Sequence, residues 1–246
     1  QQPQLVPYRI ANKWGYSDTS GKVIFEPKYQ SAEFFVNDVA FIKQDSFYYL
    51  INTKNEIIAG KYLSHGNFVN NLCPVQLPNS MFIYIDKSGQ MAFKRIYKIA
   101  ESFSEERAVV RMGMKLGVIN TYGDWVKEPS FESTSVYYKE GFLMVVENGR
   151  YYYINKYGKE LKLPEDAIPS GLFSEGLAAV YFAKKVFEKG KIEKQHSLKF
   201  IDTTGKIVLD SFKNDGENYS DYINYVSDFK DGKAIVKVAN KIGFDF

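Results

Sequence analysis

Short apolar stretches with a period of two recur along the chain and end at an Asp or Asn. In six of them the residues four and two places before this Asp or Asn are apolar, and in five the residue just before it is Ile. A period of two is that of a β-strand, so one face of each stretch is predicted to be buried. The Ile on the opposite face indicates that this face is covered as well. The pattern predicts strands inside a packed array and leaves little room for helices.

The same turn follows each of these strands. The Asp or Asn (Asx) is followed three residues later by Gly, or in one case by Asn, which suits a tight turn with a left-handed residue in the last position. The Asx residues lie 34, 34, 34, 35 and 47 residues apart, and such a period is typical of a repeat protein. The predicted turn residues are Asp18, Gly21, Asn52, Asn55, Asp86, Gly89, Asn120, Gly123, Asn155, Gly158, Asp202 and Gly205.

Each repeat continues with a second short strand, a turn that contains Pro and an aromatic residue, and a further signature. This signature is FSEGLAAV at residues 173–180, with copies FSEERAVV, YKEGFLMV and FKDGKAIV. Its apolar end predicts a third strand, and Asn148-Gly149 is typical of the two-residue turn that would join it to the next copy. We therefore predict an all-β chain, a tandem array of about six to seven three-stranded antiparallel meanders with a period of about 34 residues.

We expect one repeat domain over residues 1–246. The units are predicted at about 5–34, 35–68, 69–103, 104–138, 139–173 and 174–229, with a partial unit at 230–246. The units are shorter than propeller blades, and the N-terminal strand is already used in its own hairpin. We therefore favour an open, twisted, solenoid-like array, with a closed propeller-like ring as the alternative.

The first copy resembles a known repeat. Lys13-Trp14-Gly15-Tyr16, then Asp18, Gly21-Lys22, Pro27 and Tyr29, and later Phe-x-Glu-Gly-Leu-Ala, are similar to the WG repeat, also called the KWG repeat, of bacterial proteins. The Trp-Gly pair occurs once, and Leu116-Gly117 and Ile242-Gly243 keep the glycine alone. The resemblance implies a repetitive β scaffold, often in envelope or secreted proteins, and implies no catalytic residues.

Two segments exceed the repeat period, and such departures are the first places to look for function. Residues 183–196 lengthen one hairpin by about 13 residues. This segment is either a basic finger that contacts an acidic partner or a protruding hairpin that its lysines keep soluble. Its lysines are Lys184, Lys185, Lys189, Lys191 and Lys194.

The second long segment, residues 213–228, carries three tyrosines at intervals of three residues: Tyr219, Tyr222 and Tyr225. On one side of a short helix or turn they would form a platform for a sugar or a peptide, because Tyr combines apolar area with a hydrogen-bonding tip. The alternative is that they pack against the neighbouring repeat. The acids of this segment do not follow the spacing of a calcium loop.

Composition narrows the classes of function. The formal net charge of +3 is too small to indicate a nucleic-acid or anionic membrane partner, and no apolar run approaches the roughly 18 residues of a membrane span. The single cysteine, Cys73, excludes an internal disulfide, and His65 and His196 are too few for a His-rich metal site. We predict neither a cofactor nor a metal.

The usual catalytic motifs do not occur in the sequence. Glu105, Glu140, Glu175 and Asp231 recur once per repeat in the second signature, which favours a role in turns over one asymmetric catalytic pair. The leading hypothesis is a non-catalytic interaction or scaffold module that presents an extended β surface to a protein or glycan partner. The alternatives are a passive spacer in a larger envelope or secreted protein and, third, a carboxylate-based glycoside hydrolase.

The chain begins at Gln1 without a Met, which indicates either removal of a signal peptide or an artificially chosen start, and we expect the former. It leads us to expect a periplasmic, cell-surface or secreted protein.

Overall fold

The structure, a computed structural model, describes residues 4–188, 191–209, 213–214, 217–218, 223–238 and 241–245, with side chains outside 183–196, 210–225 and 236–246. The described residues form strands, turns and connecting segments, and none of them is in a helix. Within this part of the chain there is accordingly no helix long and apolar enough to cross a membrane. The chain divides into two compact units, Gln1–Pro129 and Ser130–Phe246.

Antiparallel sheets of three or four strands make up the first unit, and we number the sheets in chain order. The first sheet has β1 (Val6–Ile10), β2 (Lys13–Ser17) and β3 (Val23–Tyr29). The second has β4 (Ser31–Ala32), β5 (Val39–Gln44), β6 (Phe47–Asn52) and β7 (Ile57–Tyr62), and the third has β8 (Ser64–His65), β9 (Leu72–Gln76) and β10 (Phe82–Asp86). The fourth has β11 (Ile99–Ala100), β12 (Arg107–Met112), β13 (Lys115–Asn120) and β14 (Trp125–Phe131), whose last residues belong to the second unit.

The second unit continues the same plan. The fifth sheet has β15 (Ser133–Thr134), β16 (Phe142–Glu147) and β17 (Arg150–Asn155). The sixth has β18 (Ala167–Pro169), β19 (Leu177–Glu188), β20 (Lys191–Asp202) and β21 (Ile207–Leu209). A short ladder of β22 (Lys213–Asn214) and β23 (Glu217–Asn218) precedes the seventh sheet, β24 (Ile223–Val226), β25 (Ile235–Val238) and β26 (Lys241–Asp245).

The prediction of an all-β tandem repeat is confirmed, and its strand count is correct in part. Each sheet is built on a predicted hairpin, such as Val39↔Asn52 to Gln44↔Phe47 in the second sheet. The predicted Asn148-Gly149 turn joins β16 and β17, with φ of 51° and 73° at its two residues. However, the sheets have three or four strands rather than a uniform three, because a strand of two or three residues also precedes most hairpins.

The Asx turn has one geometry at all six positions. In the first copy, Asp18 Oδ1 accepts the N–H groups of Ser20 and Lys22 at 2.9 and 3.0 Å, and the Gly21 N–H donates to the Asp18 carbonyl at 3.1 Å. The same three hydrogen bonds recur from Asn52, Asp86, Asn120, Asn155 and Asp202. The residue three places after each Asx has φ between 65° and 85°, which only Gly or Asn adopts readily.

The cores lie between consecutive sheets within each unit. In the first unit, Leu50 of β6 packs in one cluster with Cys73 and Val75 of β9. In the second unit, Tyr153 of β17 packs with Val180 of β19 and Ile201 of β20. Each sheet thus buries its faces mainly against its neighbours, as expected of repeat proteins.

Carboxylates of the second signature link successive turns in the second unit. Both oxygens of Glu140 accept main-chain N–H groups, from Glu175 at 2.6 Å and Gly176 at 2.8 Å. Glu175 in turn accepts those of Asp231 and Gly232, both at 2.7 Å. Hydrogen bonds to a carboxylate are stronger than neutral ones, so these acids hold neighbouring repeats in register.

Candidate functional site

The fifth sheet lacks the strand that follows the Asx turn in the second sheet. In the first three sheets the residue four places before the Asx pairs with an aromatic residue of the following segment. These pairs are Trp14↔Tyr29, Tyr48↔Tyr62 and Phe82↔Tyr97. The equivalent residue of β17, Tyr151, has no main-chain partner on that side among the described residues. Its side chain is 48% exposed.

The segment after β17 covers only the inner half of that strand. The Leu161 N–H donates to the Tyr153 carbonyl at 2.9 Å, and the Asn155 N–H donates to the Lys159 carbonyl at 2.8 Å. Beyond Leu163 the chain leaves the strand through Pro164, which has no N–H to donate. The outer half of β17 is therefore left as an open edge.

A cleft of about 920 Å³ lies along this open edge. Its lining comes from the end of the hairpin at residues 148–152, from Glu160 and residues 162–164, and from residues 166–168. Leu163, Pro164 and Ile168 make one part of the lining apolar, and Ile168 is 42% exposed. The cleft thus combines unpaired main-chain groups with an aromatic ring and apolar side chains.

Polar contacts hold Arg150 and Tyr152 in place where the β16–β17 hairpin borders the cleft. The Arg150 guanidinium donates two hydrogen bonds to the Glu160 carboxylate, at 2.6 and 2.7 Å, and lies 4.2 Å from the ring centre of Tyr152. The Tyr152 hydroxyl donates to Glu147 Oε2 at 2.5 Å. Burial, together with this hydrogen bond to Glu147, raises the pKa of Tyr152. The Tyr152 phenol therefore stays protonated and acts as a donor.

Three carboxylates around the cleft already serve as acceptors or ion-pair partners, and Asp166, which also lines it, is exposed. Glu132 accepts the N–H groups of Asn148 and Gly149, both at 3.1 Å, Glu147 accepts the Tyr152 hydroxyl, and Glu160 pairs with Arg150. No group of His, Cys, Asp and Glu side chains suited to hold a metal ion is found in the described part of the chain. The arrangement favours recognition of an extended or aromatic group over acid-base chemistry.

Glycines allow the last strand of the fourth and second sheets to approach its neighbour. A Cβ on Gly117 would come within 2.8 Å of the Lys127 carbonyl oxygen, so β14 can approach β13 closely only because this residue is Gly. In the second sheet Tyr49 takes the equivalent position, and Gly60 of β7 makes room for its ring. The fifth sheet has Tyr152 at this position and no glycine between residues 159 and 166. The sequence signal that would have indicated the cleft is acidic: Glu165 and Asp166 stand where the first three sheets have an aromatic residue.

The candidate binding residues predicted from the two long segments lie only in part within the described residues. Lys184 and Lys185 lie on β19 and Lys191 and Lys194 on β20, so the predicted long hairpin is present, whereas Lys189 lies outside the described residues. Tyr219 and Tyr222 also lie outside them. Tyr225 lies on β24, paired with Lys237, so the helix or turn predicted there is wrong for this residue. The reason is that pairing with β25 draws residues 223–226 into the seventh sheet.

His65 and Cys73 are placed as packing residues. The His65 ring stacks on Phe41 at 3.8 Å between ring centres, and its Nε2 lies 3.3 Å from Glu33 Oε1. Cys73 is buried, its Sγ lies 3.3 Å from the Gly66 carbonyl oxygen, and burial raises the pKa of the thiol. A buried thiol of this kind is protonated and unreactive.

Three segments of the chain match the WG containing repeat, at residues 14–46, 84–115 and 117–151. The resemblance inferred from the sequence is therefore confirmed for these segments. No protein of curated function gives a significant match.

Comparison with solved structures gives several matches of low similarity. BamB from Moraxella catarrhalis is 8% identical over 97% of this chain and 95% of its own, with a TM-score of 0.37. Kluyveromyces lactis Hsv2p is 11% identical over 82% and 83%, with a TM-score of 0.41, and the WD40 beta propeller domain of Doa1 is 10% identical over 93% and 83%, with a TM-score of 0.31. At these TM-scores the likenesses decide neither the arrangement of the sheets nor a function.

Proposed function

We propose that this WG-repeat chain is a non-catalytic interaction module, and that the cleft beside β17 receives its protein or glycan partner. The observation that carries the proposal is the incomplete fifth sheet, in which Tyr151 keeps both main-chain groups open beside a cleft of about 920 Å³. Open edges of sheets tend to pair with other chains, and natural proteins usually cover or charge them. An uncovered edge inside a shaped cleft is suited to binding.

The described contacts of the recurring acids support binding over hydrolysis. Glu140 and Glu175 each hold two main-chain N–H groups of the next turn, so neither presents an open carboxylate pair to a glycosidic bond. The proposal therefore includes no catalytic residue, no cofactor and no metal. A passive spacer remains the rival function, and it differs by predicting that the cleft binds nothing.

The number of repeats and their open arrangement are also part of the proposal. We keep the open, twisted array of about six to seven repeats as our interpretation, because each sheet packs on its neighbours within a unit. Small-angle X-ray scattering of the purified chain would separate an elongated array from a compact ring, since the two differ in maximum dimension. The periplasmic, cell-surface or secreted location is likewise proposed, with cell fractionation as its test.

The two long segments stay secondary candidates for partner contact. They comprise the lysines of the β19–β20 hairpin and the tyrosine segment at residues 213–228. Deletion of residues 183–196, or replacement of the three tyrosines, would weaken a partner that uses them and leave binding in the cleft unchanged.

A variant that closes the cleft tests the function directly. Residues 159–165, KELKLPE, are replaced by residues 56–62, EIIAGKY, which follow Asn52 at the same distance as residues 159–165 follow Asn155. In this sheet-completing variant the glycine copied from Gly60 should lie opposite Tyr152, just as Gly60 lies opposite Tyr49. The tyrosine copied from Tyr62 should lie opposite Tyr151. A matched graft with Ala in place of this last Tyr leaves the aromatic position empty.

The wild-type chain and both grafts are then screened against a glycan array and a displayed peptide library. We expect ligands that bind the wild-type chain but not the sheet-completing variant, and the Ala graft then shows whether binding is blocked by the aromatic side chain or already by the added strand. The proposal fails if neither library yields a ligand that distinguishes the wild-type chain from the sheet-completing variant.

A further inference from the structure

In the first three sheets the residue equivalent to Tyr151 has a main-chain partner, which shows what can occupy the open edge of β17. In the third sheet one residue of an extended segment satisfies both main-chain groups of this edge. The Phe82 N–H donates to the Tyr97 carbonyl at 2.8 Å, and the Tyr97 N–H donates to the Phe82 carbonyl at 2.9 Å. In the second sheet the same pair is Tyr48 with Tyr62, and in the first it is Trp14 with Tyr29. In all three sheets an aromatic residue is the partner.

These aromatic residues are also core residues. Tyr29, Tyr62 and Tyr97 are 2%, 6% and 0% exposed. They pack in three separate clusters, with Tyr16, Leu50 and Tyr84 respectively. Each extended segment therefore contributes two main-chain hydrogen bonds and one buried aromatic side chain.

The fifth sheet lacks both contributions. At the distances from Asn155 that correspond to Tyr62 and Tyr97 the chain has Glu165 and Asp166, both exposed and acidic. The pairs of β16 and β17 alternate from a two-residue turn, so the N–H and C=O of Tyr151 point away from β16 and toward the cleft side. The cleft thus occupies the position that an aromatic side chain fills in the sister sheets.

We propose that the partner of this cleft is an extended peptide segment of another protein, which pairs one aromatic residue with Tyr151 and inserts its ring into the cleft. This inference rests on the proposed function and specifies the ligand class. Main-chain hydrogen bonds to an exposed edge supply affinity in this mode, and a side-chain pocket supplies selectivity. The aromatic ring adds the large apolar contact that anchors many interfaces.

The test uses a peptide that the chain already binds within itself. The probe is a fluorescently labelled, end-blocked heptapeptide KRIYKIA, the sequence of residues 94–100, which contains Tyr97. Fluorescence anisotropy measures its affinity for the intact wild-type chain, with a scrambled peptide and a Tyr97→Ala peptide as controls. We expect the Tyr97→Ala peptide to bind at least tenfold more weakly, since one buried aromatic side chain contributes more than about 1.4 kcal/mol.

Variants of the protein test the main-chain pair. Tyr151→Pro removes an N–H that the native sheet does not use, and Pro is tolerated on edge strands, so we expect binding about tenfold weaker in a folded protein. The sheet-completing variant is expected not to bind. Its Ala-containing graft leaves the aromatic position empty but still offers a strand to the main-chain groups of Tyr151, so it is expected to bind more weakly than the wild-type chain. Hydrogen exchange of the wild-type chain supplies a reading that needs no variant, because the Tyr151 amide should be protected when the peptide is added.

The results separate this inference from the proposed function. Glycans that bind the cleft while no peptide does would overturn the peptide inference and leave the interaction module standing. A dimer that the sheet-completing variant abolishes would show a second copy of this chain as the occupant, which also overturns it. Peptide binding that is equal in the wild-type chain and the sheet-completing variant would overturn both proposals at the cleft.

Discussion

The second and fifth sheets share almost the same central strand but have different edges. β6 is FYYLIN and β17 is RYYYIN, and both end at the same Asx turn. β7 pairs along β6, whereas the segment after β17 covers only the inner half of β17. The hairpin strand therefore does not decide whether a sheet is completed. The segment after the Asx turn does.

That segment differs in two physical respects. EIIAGKY in the second sheet supplies Gly60, against which the Tyr49 ring lies, and it ends in the aromatic Tyr62. KELKLPE in the fifth sheet alternates Leu161 and Leu163, which pack against the cluster that contains Tyr153, and it ends at Pro164 and Glu165. One segment thus extends the sheet, and the other fills the neighbouring core and then turns away.

Removing the aromatic residue that completes the second sheet should destabilise the chain most. Tyr62→Ala deletes a side chain that is 6% exposed and packs with Val39, Phe41 and Leu50, so we expect a loss of about 3–5 kcal/mol in the free energy of unfolding. Urea unfolding measures it. Glu165→Ala, at the matching exposed position of the fifth sheet, should change stability by no more than about 0.5 kcal/mol. Equal losses in the two variants would contradict the difference between the sheets.

The Gly60→Ala variant tests whether β7 needs a residue without a side chain where it lies against the Tyr49 ring. A Cβ on Gly60 would lie within 2.8 Å of Tyr49 Cγ, so Gly60→Ala should destabilise the chain by about 1–3 kcal/mol through overpacking. In the double variant with Tyr49→Ala the added methyl no longer meets the ring. Thermal or urea unfolding should then show that Gly60→Ala costs less in the Tyr49→Ala background than alone, and an unchanged cost would show that the ring is not the obstacle.

A tyrosine hydroxyl distinguishes the fifth sheet from the second in the core. Tyr153 donates to the Gly171 carbonyl, whereas Leu50 holds the equivalent position in β6. Tyr153→Phe should cost about 1–2 kcal/mol, because the buried hydroxyl is lost and the carbonyl is left without this donor. The matched control is Tyr151→Phe, whose ring is 48% exposed and whose loss of a hydroxyl should be near neutral in urea unfolding. A neutral Tyr153→Phe would mean that another donor replaces the hydroxyl.

The hairpins and Asx turns could be predicted because their chemistry is local. Two-residue turns such as Asn148-Gly149 and the Asx side chain act within five residues, so they leave a periodic trace in the sequence. The short strands β4, β8, β11, β15 and β18 leave none, since two or three residues are too few for a pattern.

The cleft escaped prediction because the fifth repeat has ordinary length. The spacing of the repeats directs attention to the long segments at residues 183–196 and 213–228, where insertions are visible. A missing strand changes no spacing. Its trace is Glu165 or Asp166 in place of the aromatic residue, and this replacement acquires meaning only once Tyr29, Tyr62 and Tyr97 are seen paired with the central strands.

Acid should act slightly, but differently, on the Asx turns of the second and fifth sheets once each carries a carboxylate, because Glu56 lies beside the first of these turns and Lys159 follows the second. In the first and sixth repeats, hydrogen bonds from the hydroxyls of Ser20 and Thr204 lower the pKa of Asp18 and Asp202. A depressed pKa in the folded state gives stability that is present above the unfolded value of about 3.8 and is lost as the pH falls through the folded value. Asn52 and Asn155 do not titrate. Asn155→Asp keeps the main-chain donors Tyr157 and Lys159, so it should add a small loss of stability below about pH 4. Asn52→Asp instead puts a second carboxylate beside Glu56, to which Asn52 Nδ2 now donates at 2.6 Å, so acid should relieve this repulsion. The shift of the urea midpoint between about pH 7 and pH 3 measures both effects. An equal loss of stability in acid for the two variants would contradict this difference between the turns.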